Sequence, residues 1–354
     1  MSASLRADLA LVGFGNVAQR FVELLGEYQD RLAVDHGLEC RIVGVATRRR
    51  GVLYDQRGLD AARLKGTWTP ATPPTSGAFH VIRNLHRSDA ELRVVIETTT
   101  LDIAAGQPAI DHVRAGIAAG CHVITANKGP VAFAYAVLRD EARAASVQFL
   151  FEGAVMDGVP IFNLVREALP GATVSEVRGV VNSTTNHILT ALENGESFDA
   201  ALARMQAEGI AEADPSLDLD GWDAAAKTAA LANVLLGASL TPHSVERTGI
   251  SRSDAERARQ ARAKGRRLKL VASAVRTKTG VRAMVEPREL AATDLLASLD
   301  GKANALVLRT DVLGEIAICQ LEGSLTHTAY ALLSDLVTLR RREAPLAAPA
   351  RRIP

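Results

Sequence analysis

Cysteine is scarce in this sequence, and neither sign of charge is in excess. The three cysteines, Cys40, Cys121 and Cys319, lie far apart and form no C-x-x-C pair. A disulfide scaffold and a cysteine-based zinc site are therefore excluded. Lys and Arg number 41 against 40 Asp and Glu, a net charge of +1. Because proteins that bind nucleic acid or anionic membranes usually carry excess positive charge, we expect no nucleic acid and no membrane as partner.

Long hydrophobic runs are also missing. The apolar run at 9–12 is short and leads directly into a glycine turn, unlike the apolar region of a signal peptide. The most apolar later stretch, 228–240, is too short to cross a bilayer. Together with the cysteine usage, these features lead us to expect a cytoplasmic protein.

The length and the repeating pattern of the first part indicate a multidomain α/β protein. The chain has 354 residues, of which 47% are hydrophobic and 23% charged, so we expect two or three globular domains. Within 1–150, short apolar runs alternate with helical patterns, which is typical of a parallel sheet with crossover helices. The expected strands are 8–13, 41–46, 94–98 and 122–125, and the expected helices are 17–28 and 110–119.

The pattern changes after the apolar run at 148–151. We expect a mixed α+β domain over 151–325, then a closing helix at 326–340 that packs back on the first domain, and a flexible tail at 341–354. Cys121 and Cys319 lie in apolar runs and are expected in the core. The strands expected in the second domain are 174–182, 269–275, 281–285, 305–310 and 315–320, and its helices are 186–192, 198–208 and 222–236.

A glycine-rich turn, G-x-G-x-x-A, lies between the first strand and the first helix. Gly13 permits the tight turn, Gly15 lets the backbone approach a pyrophosphate, and Ala18 keeps the helix close to the strand. The free N–H groups of the helix N-terminus face the anion. Since a strand precedes the turn and a helix follows it, dinucleotide binding is favoured over an ordinary strand–helix turn.

The end of the second expected strand bears on the choice between NAD and NADP. An NAD site usually has Asp or Glu there, to accept a hydrogen bond from the ribose 2′-hydroxyl. This chain instead has a run of three arginines, 48–50. Guanidinium groups bind a 2′-phosphate, so the sequence favours NADP, with NAD as the alternative cofactor and a solvated basic loop as the alternative structure.

An acidic loop at 212–223 opens a helix, and a lysine lies one turn into that helix. Asp223 and Lys227 are four residues apart, on one helix face, with the acid nearer the N-terminus. Such an acid can hold a lysine that donates and accepts protons, and neighbouring carboxylates can bind a substrate amine. A solvated helix cap with a surface ion pair explains the pattern equally well.

Lys128 follows directly after a predicted parallel strand. Ligands of open parallel sheets bind at the carboxyl ends of the strands, so Lys128 is placed to reach a cofactor or substrate. An ordinary surface lysine is the alternative.

These motifs together resemble the homoserine dehydrogenase family, in the short form that lacks an ACT regulatory domain. Residues 209–227 follow the family signature, with Met205 replacing the usual alanine just before it. The segments 182–189 (NSTTNHIL) and 123–128 (VITANK) are similar to the family's N-G-T-T-N-Y-I-L and T-A-N-K elements. The resemblance implies a Rossmann dinucleotide-binding domain, an α+β catalytic and dimerisation domain, and a homodimer.

The resemblance also implies roles for individual residues. Lys227 would donate and accept the proton, and Lys128 would lie beside the reacting carbon. Glu212 would bind the α-amino group of the substrate, while Asp218 and Asp223 would orient substrate and lysine. The implied cofactor-binding residues are Gly13, Phe14, Gly15, Asn16, Val17, Arg48, Arg49, Thr99, Lys128 and Ser324.

A sodium ion is a further implication of the resemblance, and the loop concerned departs from the family pattern. Backbone carbonyl groups in this loop would bind the ion, and such oxygens suit a hard cation. Met156 and Asp157 replace two glycines of the family, and 321–325 (LEGSL) replaces its G-x-G-A-G turn, so we expect altered cofactor fit or substrate shape. The implied sodium ligands are Glu152, Val155, Asp157 and Val159.

The activity implied is the NADP-dependent interconversion of L-homoserine and L-aspartate 4-semialdehyde, a step of threonine and methionine biosynthesis. Two alternatives stay open. A related dehydrogenase for another small amino-acid alcohol or aldehyde would explain the altered glycine loops. A catalytically silent NADP-binding sensor would share the fold, although it would have no need of the Asp223–Lys227 pair.

Overall fold

The computed structural model describes residues 4–69, 76–208, 211 and 214–343. These residues form two compact units, each with its own sheet. The first unit draws on Met1–Pro130, Ala136–Gly158 and Ser324–Pro354, and the second on Val131–Tyr135 and Val159–Gly323. The first unit breaks off after Gly158 and resumes at Ser324. The domain boundaries expected near 150 and 325 stay predictions.

The first unit contains a six-stranded sheet in the order β3-β2-β1-β4-β5-β6. All neighbours pair in parallel except β2 and β3, which are antiparallel. Since β1 lies between β2 and β4, the chain reverses its direction of progress across the sheet at this point, and a ligand binds beyond the carboxyl ends of such strands. The strands are β1 (Leu5–Val12), β2 (Leu38–Thr47), β3 (Gly51–Tyr54), β4 (Leu92–Glu97), β5 (His122–Thr125) and β6 (Phe149–Leu150).

The second unit contains a mixed six-stranded sheet in the order β12-β11-β7-β9-β10-β8. The short β8 pairs with β10 in parallel, and all other neighbours are antiparallel. A mostly parallel first sheet and a mixed second sheet confirm the predicted fold class. The strands are β7 (Val174–Val180), β8 (Glu246–Arg247), β9 (Arg266–Thr277), β10 (Gly280–Ala291), β11 (Asn304–Thr310) and β12 (Gly314–Gln320).

Helices flank both sheets, and some of them were not predicted from the sequence pattern, such as those at Ser76–Leu85, Lys128–Ala144 and Asp254–Ala263. The helices are α1 (Asn16–His36), α2 (Ala61–Lys65), α3 (Ser76–Leu85), α4 (Ala109–Ala118), α5 (Lys128–Ala144), α6 (Ile161–Asn163, continued by a π-helical turn at Leu164–Ala168), α7 (Ser183–Glu193), α8 (Phe198–Ala207), α9 (Ser216–Leu219), α10 (Trp222–Leu235), α11 (Asp254–Ala263) and α12 (Leu325–Glu343).

Helix α1 shows how the sequence pattern builds the first unit. Its apolar residues recur at helical spacing, so Ala18, Phe21 and Leu25 are buried on one face. The helix ends at Gly37, whose φ of 57° is the left-handed conformation that favours glycine. Helix α12 packs against α1, and its Leu332 belongs to the same hydrophobic core as Phe21.

Two expectations are corrected by the fold. Cys121 is buried, but Cys319 is exposed, because β12 is the edge strand of its sheet and Cys319 lies on its outward-facing side. Helix α12 continues to Glu343, so the first three residues of the expected flexible tail are helical. The rest of that tail, 344–354, lies outside the described residues. Among the helices that the structure describes, none is long and apolar enough to span a membrane.

Candidate active site

The two glycines of the phosphate-binding turn serve different structural needs. Gly13 has a φ of 94°, and a Cβ atom there would lie 2.7 Å from the carbonyl carbon and oxygen of Thr98. A Cβ atom on Gly15, in contrast, would meet nothing within 4 Å. Gly13 is therefore required by the fold, while Gly15 leaves open space at the N-terminus of α1. This is the space that the pyrophosphate of a dinucleotide needs.

The remaining turn residues support the same interpretation. Gly15 and Asn16 are exposed, whereas Ala18 is fully buried and brings α1 against the sheet. Phe14 and Val17 are half-buried and pack on the core of the first unit. The first turn of α1 thus presents its unpaired N–H groups to solvent, where an anion can bind.

The three arginines after β2 are all exposed, but their contacts differ. Arg48 and Arg49 are exposed in the turn between β2 and β3. Arg50 instead places its guanidinium group 4.0 Å from the ring centroid of Trp68 and donates hydrogen bonds to the carbonyl oxygens of Leu64 (3.0 Å) and Gly66 (3.3 Å). Arg50 therefore stabilises the local structure, and Arg48 and Arg49 present their charge outwards.

A buried carboxylate that the sequence analysis missed connects the expected site residue Thr99 to the end of β5. Glu97, at the end of β4, is fully buried. Its Oε1 accepts hydrogen bonds from the backbone N–H (2.9 Å) and the hydroxyl of Thr99, and its Oε2 accepts one from Thr125 Oγ1 (2.8 Å). Because β4 and β5 are parallel neighbours, Glu97 joins the two loops that follow them. The sequence did contain a signal for this residue, since Glu97 is an acidic residue at the end of a strand that is mostly apolar and buried.

The loop after β5 places Lys128 at the first position of α5. Asn127 Nδ2 donates to the carbonyl oxygen of Thr99 (2.9 Å), and Asn127 Oδ1 caps the helix by accepting from the N–H of Gly129 (2.9 Å). Lys128 is half-buried. The structure therefore brings the loops of Thr99 and Lys128 together at the carboxyl edge of the first sheet.

The loop with the two replaced glycines accommodates its larger side chains. Met156 is 2% exposed, and Asp157 adopts a φ of 49°, the left-handed conformation that a glycine would take most easily. Asp157 Oδ1 accepts a hydrogen bond from Thr328 Oγ1 (2.9 Å). Glu152 is 3% exposed in the turn before them. The backbone thus keeps a glycine-like turn despite the substitutions.

Ser324 lies at the start of α12. Its backbone carbonyl accepts a hydrogen bond from the N–H of His327 at 3.0 Å, and its side chain is exposed. The observed contacts of Ser324 are those of a residue that begins a helix. Its contact with a cofactor stays a prediction.

The lysine and the acid of the acidic loop form an enclosed ion pair in the second unit. Lys227 Nζ lies 3.0 Å from Asp223 Oδ2, and their side chains are only 15% and 17% exposed. Lys227 Nζ also donates a hydrogen bond of 2.6 Å to the carbonyl oxygen of Val181. This enclosure does not fit the alternative of a solvated surface pair, for which little energy would be gained.

Asp218 belongs to the same cluster, through a residue that the sequence analysis quoted only as part of a motif. Asn182 Nδ2 donates to Asp218 Oδ1 at 2.7 Å and to Asp223 Oδ2 at 3.0 Å. The second unit therefore brings Asp218, Asp223 and Lys227 together around Asn182. Glu212, the expected ligand of the substrate amine, lies outside the described residues.

The chemistry that each unit can perform follows from these contacts. The first unit offers an open helix N-terminus, exposed arginines and a half-buried lysine at the carboxyl edge of a parallel sheet, which suit a dinucleotide. The second unit offers an enclosed ammonium group and two carboxylates, which suit proton transfer and the binding of a small cationic or hydroxylated substrate.

Comparisons with known proteins identify both units. The family model for the homoserine dehydrogenase NAD-binding domain matches residues 13–152, and the homoserine dehydrogenase model matches residues 160–337. The chain is 36% identical over 337 residues to the NAD(+)-dependent homoserine dehydrogenase of Pseudomonas canavaninivorans, covering 94% of this chain and 96% of that protein. It is 34% identical to the homoserine dehydrogenase of Sulfurisphaera tokodaii, covering 94% and 98%.

A solved structure of the same family is similar in fold. The homoserine dehydrogenase of Thiobacillus denitrificans superposes with a TM-score of 0.81 at 30% identity, covering 100% of this chain and 77% of that chain. The resemblance inferred from the motifs is confirmed. The chain belongs to the homoserine dehydrogenase family of NAD(P)-dependent oxidoreductases, which act on a CH–OH group.

Proposed function

We propose that the chain interconverts L-homoserine and L-aspartate 4-semialdehyde with NADP, and that Lys227 transfers the proton. The observation that carries this proposal is the enclosed pair of Lys227 and Asp223. When homoserine is oxidised, its hydroxyl proton passes to the neutral amine of Lys227. When the aldehyde is reduced, the ammonium of Lys227 returns that proton to the developing alkoxide.

The other residues of the second unit orient the reactants. Asp223 stabilises the ammonium form of Lys227 by its charge, and the carbonyl oxygen of Val181 fixes the direction of the lysine side chain. Asp218 would accept a hydrogen bond from the substrate, and Glu212 would bind its α-amino group. Lys128, at the carboxyl edge of the sheet in the first unit, would lie beside the reacting carbon. The nicotinamide cofactor, when bound, supplies or accepts the hydride.

The proposal of NADP rests on the turn after β2. That strand ends at Thr47, without a carboxylate, and the exposed guanidinium groups of Arg48 and Arg49 follow it. A carboxylate would repel a 2′-phosphate, whereas guanidinium groups bind it. The residues of the glycine turn fit the pyrophosphate, because Gly15 leaves open space there. The Pseudomonas canavaninivorans relative is named for NAD(+), so the two cofactors must be compared directly.

Steady-state oxidation of L-homoserine with NADP and with NAD, followed by the absorbance of the reduced nicotinamide, tests both parts of the proposal. We expect turnover with both homoserine and NADP present, and a larger kcat/KM for NADP than for NAD. A larger kcat/KM for NAD would overturn the proposed cofactor. Absence of homoserine turnover with either cofactor would overturn the proposed reaction.

We also propose a sodium ion at the loop that contains Glu152, Val155, Asp157 and Val159. Two observations support the proposal: the carboxylate of Glu152 is buried, and Asp157 keeps the glycine-like turn of the loop whose carbonyl groups would bind the ion. The bound ion would steady this loop. A higher thermal midpoint in sodium chloride than in choline chloride of equal ionic strength is the expected result, and equal midpoints would overturn the proposal.

We further infer a cytoplasmic homodimer whose subunits meet through the predicted catalytic and dimerisation domain, residues 151–325. The edge strand β12 supports this, since Ala317 and Cys319 are exposed on it. A free, exposed thiol such as Cys319 suits a reducing compartment. Light scattering coupled to gel filtration tests the assembly: twice the chain mass is expected, and the mass of one chain would contradict it.

A further inference from the structure

The side-chain amide of Asn182 links Asp218 to Asp223, the acid that pairs with Lys227. Asn182 Nδ2 donates to Asp218 Oδ1 (2.7 Å) and to Asp223 Oδ2 (3.0 Å). The same Oδ2 of Asp223 lies 3.0 Å from the Nζ of Lys227. Asp223 Oδ2 therefore accepts from the amide of Asn182 and pairs with the ammonium, so a change at Asn182 acts directly on the ion pair.

The orientation of this amide is determined by its other contacts. Asn182 Oδ1 accepts hydrogen bonds from the backbone N–H and the hydroxyl of Thr185, both at 2.9 Å, and so caps the N-terminus of α7. A backbone N–H can only donate, so the amide oxygen must face Thr185 and the NH₂ group must face the carboxylates. Asn182 is 5% exposed, which limits competition from water.

The residue before Asn182 contacts the other end of the ion pair. The carbonyl oxygen of Val181 accepts a 2.6 Å hydrogen bond from Lys227 Nζ. Two consecutive residues thus fix the pair: the main chain of Val181 binds the ammonium, and the side chain of Asn182 binds the carboxylate. A shift of this segment would move the acid and the lysine together.

The segment that begins with Val181 and Asn182 and continues into α7 is itself held by the loop before β11. Ser183 Oγ donates to the carbonyl oxygen of Lys302 (3.0 Å), and Asn186 Nδ2 donates to the carbonyl oxygens of Gly301 and Ala303 (3.1 Å each). The ammonium of the fully buried Lys269 donates to Asn186 Oδ1 (2.9 Å). The start of α7 is therefore a fixed support, built before any substrate arrives.

We propose that Asn182 is a positioning residue for the reaction: its amide holds the carboxylates of Asp218 and Asp223 in one arrangement and so sets the direction of Lys227. Two carboxylates close together repel each other, and the NH₂ group between them offsets this repulsion. The inference rests on the proposed role of Lys227 in proton transfer. It adds a residue that touches neither the transferred proton nor the hydride.

The substitution Asn182→Ser tests the cross-link without adding charge. Serine also caps helices well, so the start of α7 is kept, but its hydroxyl is too short to reach both acids. We expect kcat/KM for homoserine to fall about 10- to 100-fold, the effect of losing one to two charge-assisted hydrogen bonds. The loss should include a rise in KM, because Asp218 would no longer be oriented towards the substrate.

The substitution Asn182→Asp tests the electrostatic contact at unchanged shape. Aspartate keeps the cap but replaces the NH₂ donor by a third carboxylate next to Asp218 and Asp223. A further negative charge favours the ammonium of Lys227, so the pH at which homoserine oxidation reaches half its maximal kcat should rise by about one pH unit. A residue that only stabilised the fold would lower activity without moving this pH.

Asn194→Ser is the matched control, since Asn194 lies at the exposed C-terminal end of the same helix and donates only locally, to the carbonyl oxygen of Thr190 (3.0 Å). We expect kcat, KM and the pH profile of this variant to equal those of the parent chain. If Asn182→Ser does not fold, Asn182→Asp carries the test through its pH profile.

The outcomes separate this inference from the proposed function. A parent chain that oxidises homoserine, with Asn182 variants that match its kcat/KM and its pH profile, would overturn the positioning role alone. A parent chain without homoserine turnover would overturn the proposed function. A fall in kcat/KM for Asn182→Ser together with a raised pH midpoint for Asn182→Asp would support the inference.

Discussion

The ammonium of Lys227 donates a 2.6 Å hydrogen bond to the main-chain carbonyl oxygen of Val181. This contact directs a lysine away from bulk water and into a cluster with Asp223, where its side chain is 15% exposed. One acceptor, the carbonyl oxygen of Val181, lies in the two-residue connection between β7 and α7, and the other, Asp223, lies in the first turn of α10, so the lysine side chain is held from two sides.

The first prediction contrasts the two glycines of the dinucleotide turn. Gly13→Ala should destabilise the fold by at least about 2 kcal/mol, because it combines a left-handed backbone with a clash against the backbone of Thr98. Gly15→Ala should leave the stability unchanged, since its Cβ atom meets nothing. It should nevertheless weaken NADP binding by about tenfold, because the methyl group occupies space needed by the pyrophosphate.

Urea unfolding and a fluorescence titration with NADPH measure the two effects. Equal losses of stability in both variants would contradict the separation of roles between Gly13 and Gly15. Unchanged NADPH affinity of Gly15→Ala would contradict the placement of the pyrophosphate.

The second prediction concerns the arginines after β2. The double variant Arg48→Ala/Arg49→Ala should lower kcat/KM for NADP by about 10- to 100-fold, through loss of charge-assisted hydrogen bonds, and should leave kcat/KM for NAD nearly unchanged. Arg50→Ala is the matched control. It should lower the thermal stability, because Arg50 stacks on Trp68, while the ratio of the two cofactors stays close to that of the parent.

Parallel steady-state kinetics with both cofactors measure this ratio. A larger change in the ratio for Arg50→Ala than for the double variant would assign the 2′-phosphate to Arg50 instead.

The third prediction uses the buried lysine of the second unit. Burial lowers the pKa of Lys269 from 10.5 to about 8, with a smaller contribution from Arg267. The unfolded chain therefore binds this proton more tightly than the folded chain, and the penalty for burying the charge is fully present below about pH 8. As the pH rises from about 8 to 10.5, the penalty disappears and the stability contributed by this group rises.

Unfolding of the parent and of Lys269→Met at several pH values isolates this contribution. The free energy of unfolding of the parent minus that of the variant should increase with pH, by on the order of 3 kcal/mol at most. A difference that stays constant or falls over this range would contradict the buried, charged state of Lys269 near neutral pH.

The sequence predicted most of the fold, because strong local patterns produced it. The strand at His122–Thr125 coincides with its predicted range, and α1 follows from the apolar spacing that buries Phe21. Helix α11 was missed because half of Asp254–Ala263 is charged and most of the remainder is alanine, so it lacks a stripe of large apolar side chains. The edge strand β3 was missed as a strand because it is short.

The site was predictable only where spacing along one element determines contact. Asp223 and Lys227 lie four residues apart on one helix, so their pairing follows from helical geometry. The contact of Asn182 with Asp218 joins residues from two separate elements, and that of Glu97 with Thr125 depends on the pairing of β4 with β5. No local pattern encodes such contacts, since they arise from tertiary structure.

The role of Lys227 in proton transfer is tested most directly by Lys227→Met, with Lys264→Met as the control at an exposed lysine that ends α11. Methionine keeps most of the side-chain volume and removes the exchangeable proton. We predict that Lys227→Met binds NADPH as the parent does while its kcat for homoserine falls by about 10²- to 10⁴-fold, and that Lys264→Met retains full turnover. A Lys227→Met variant that folds and retains most of the parent's kcat would contradict the account.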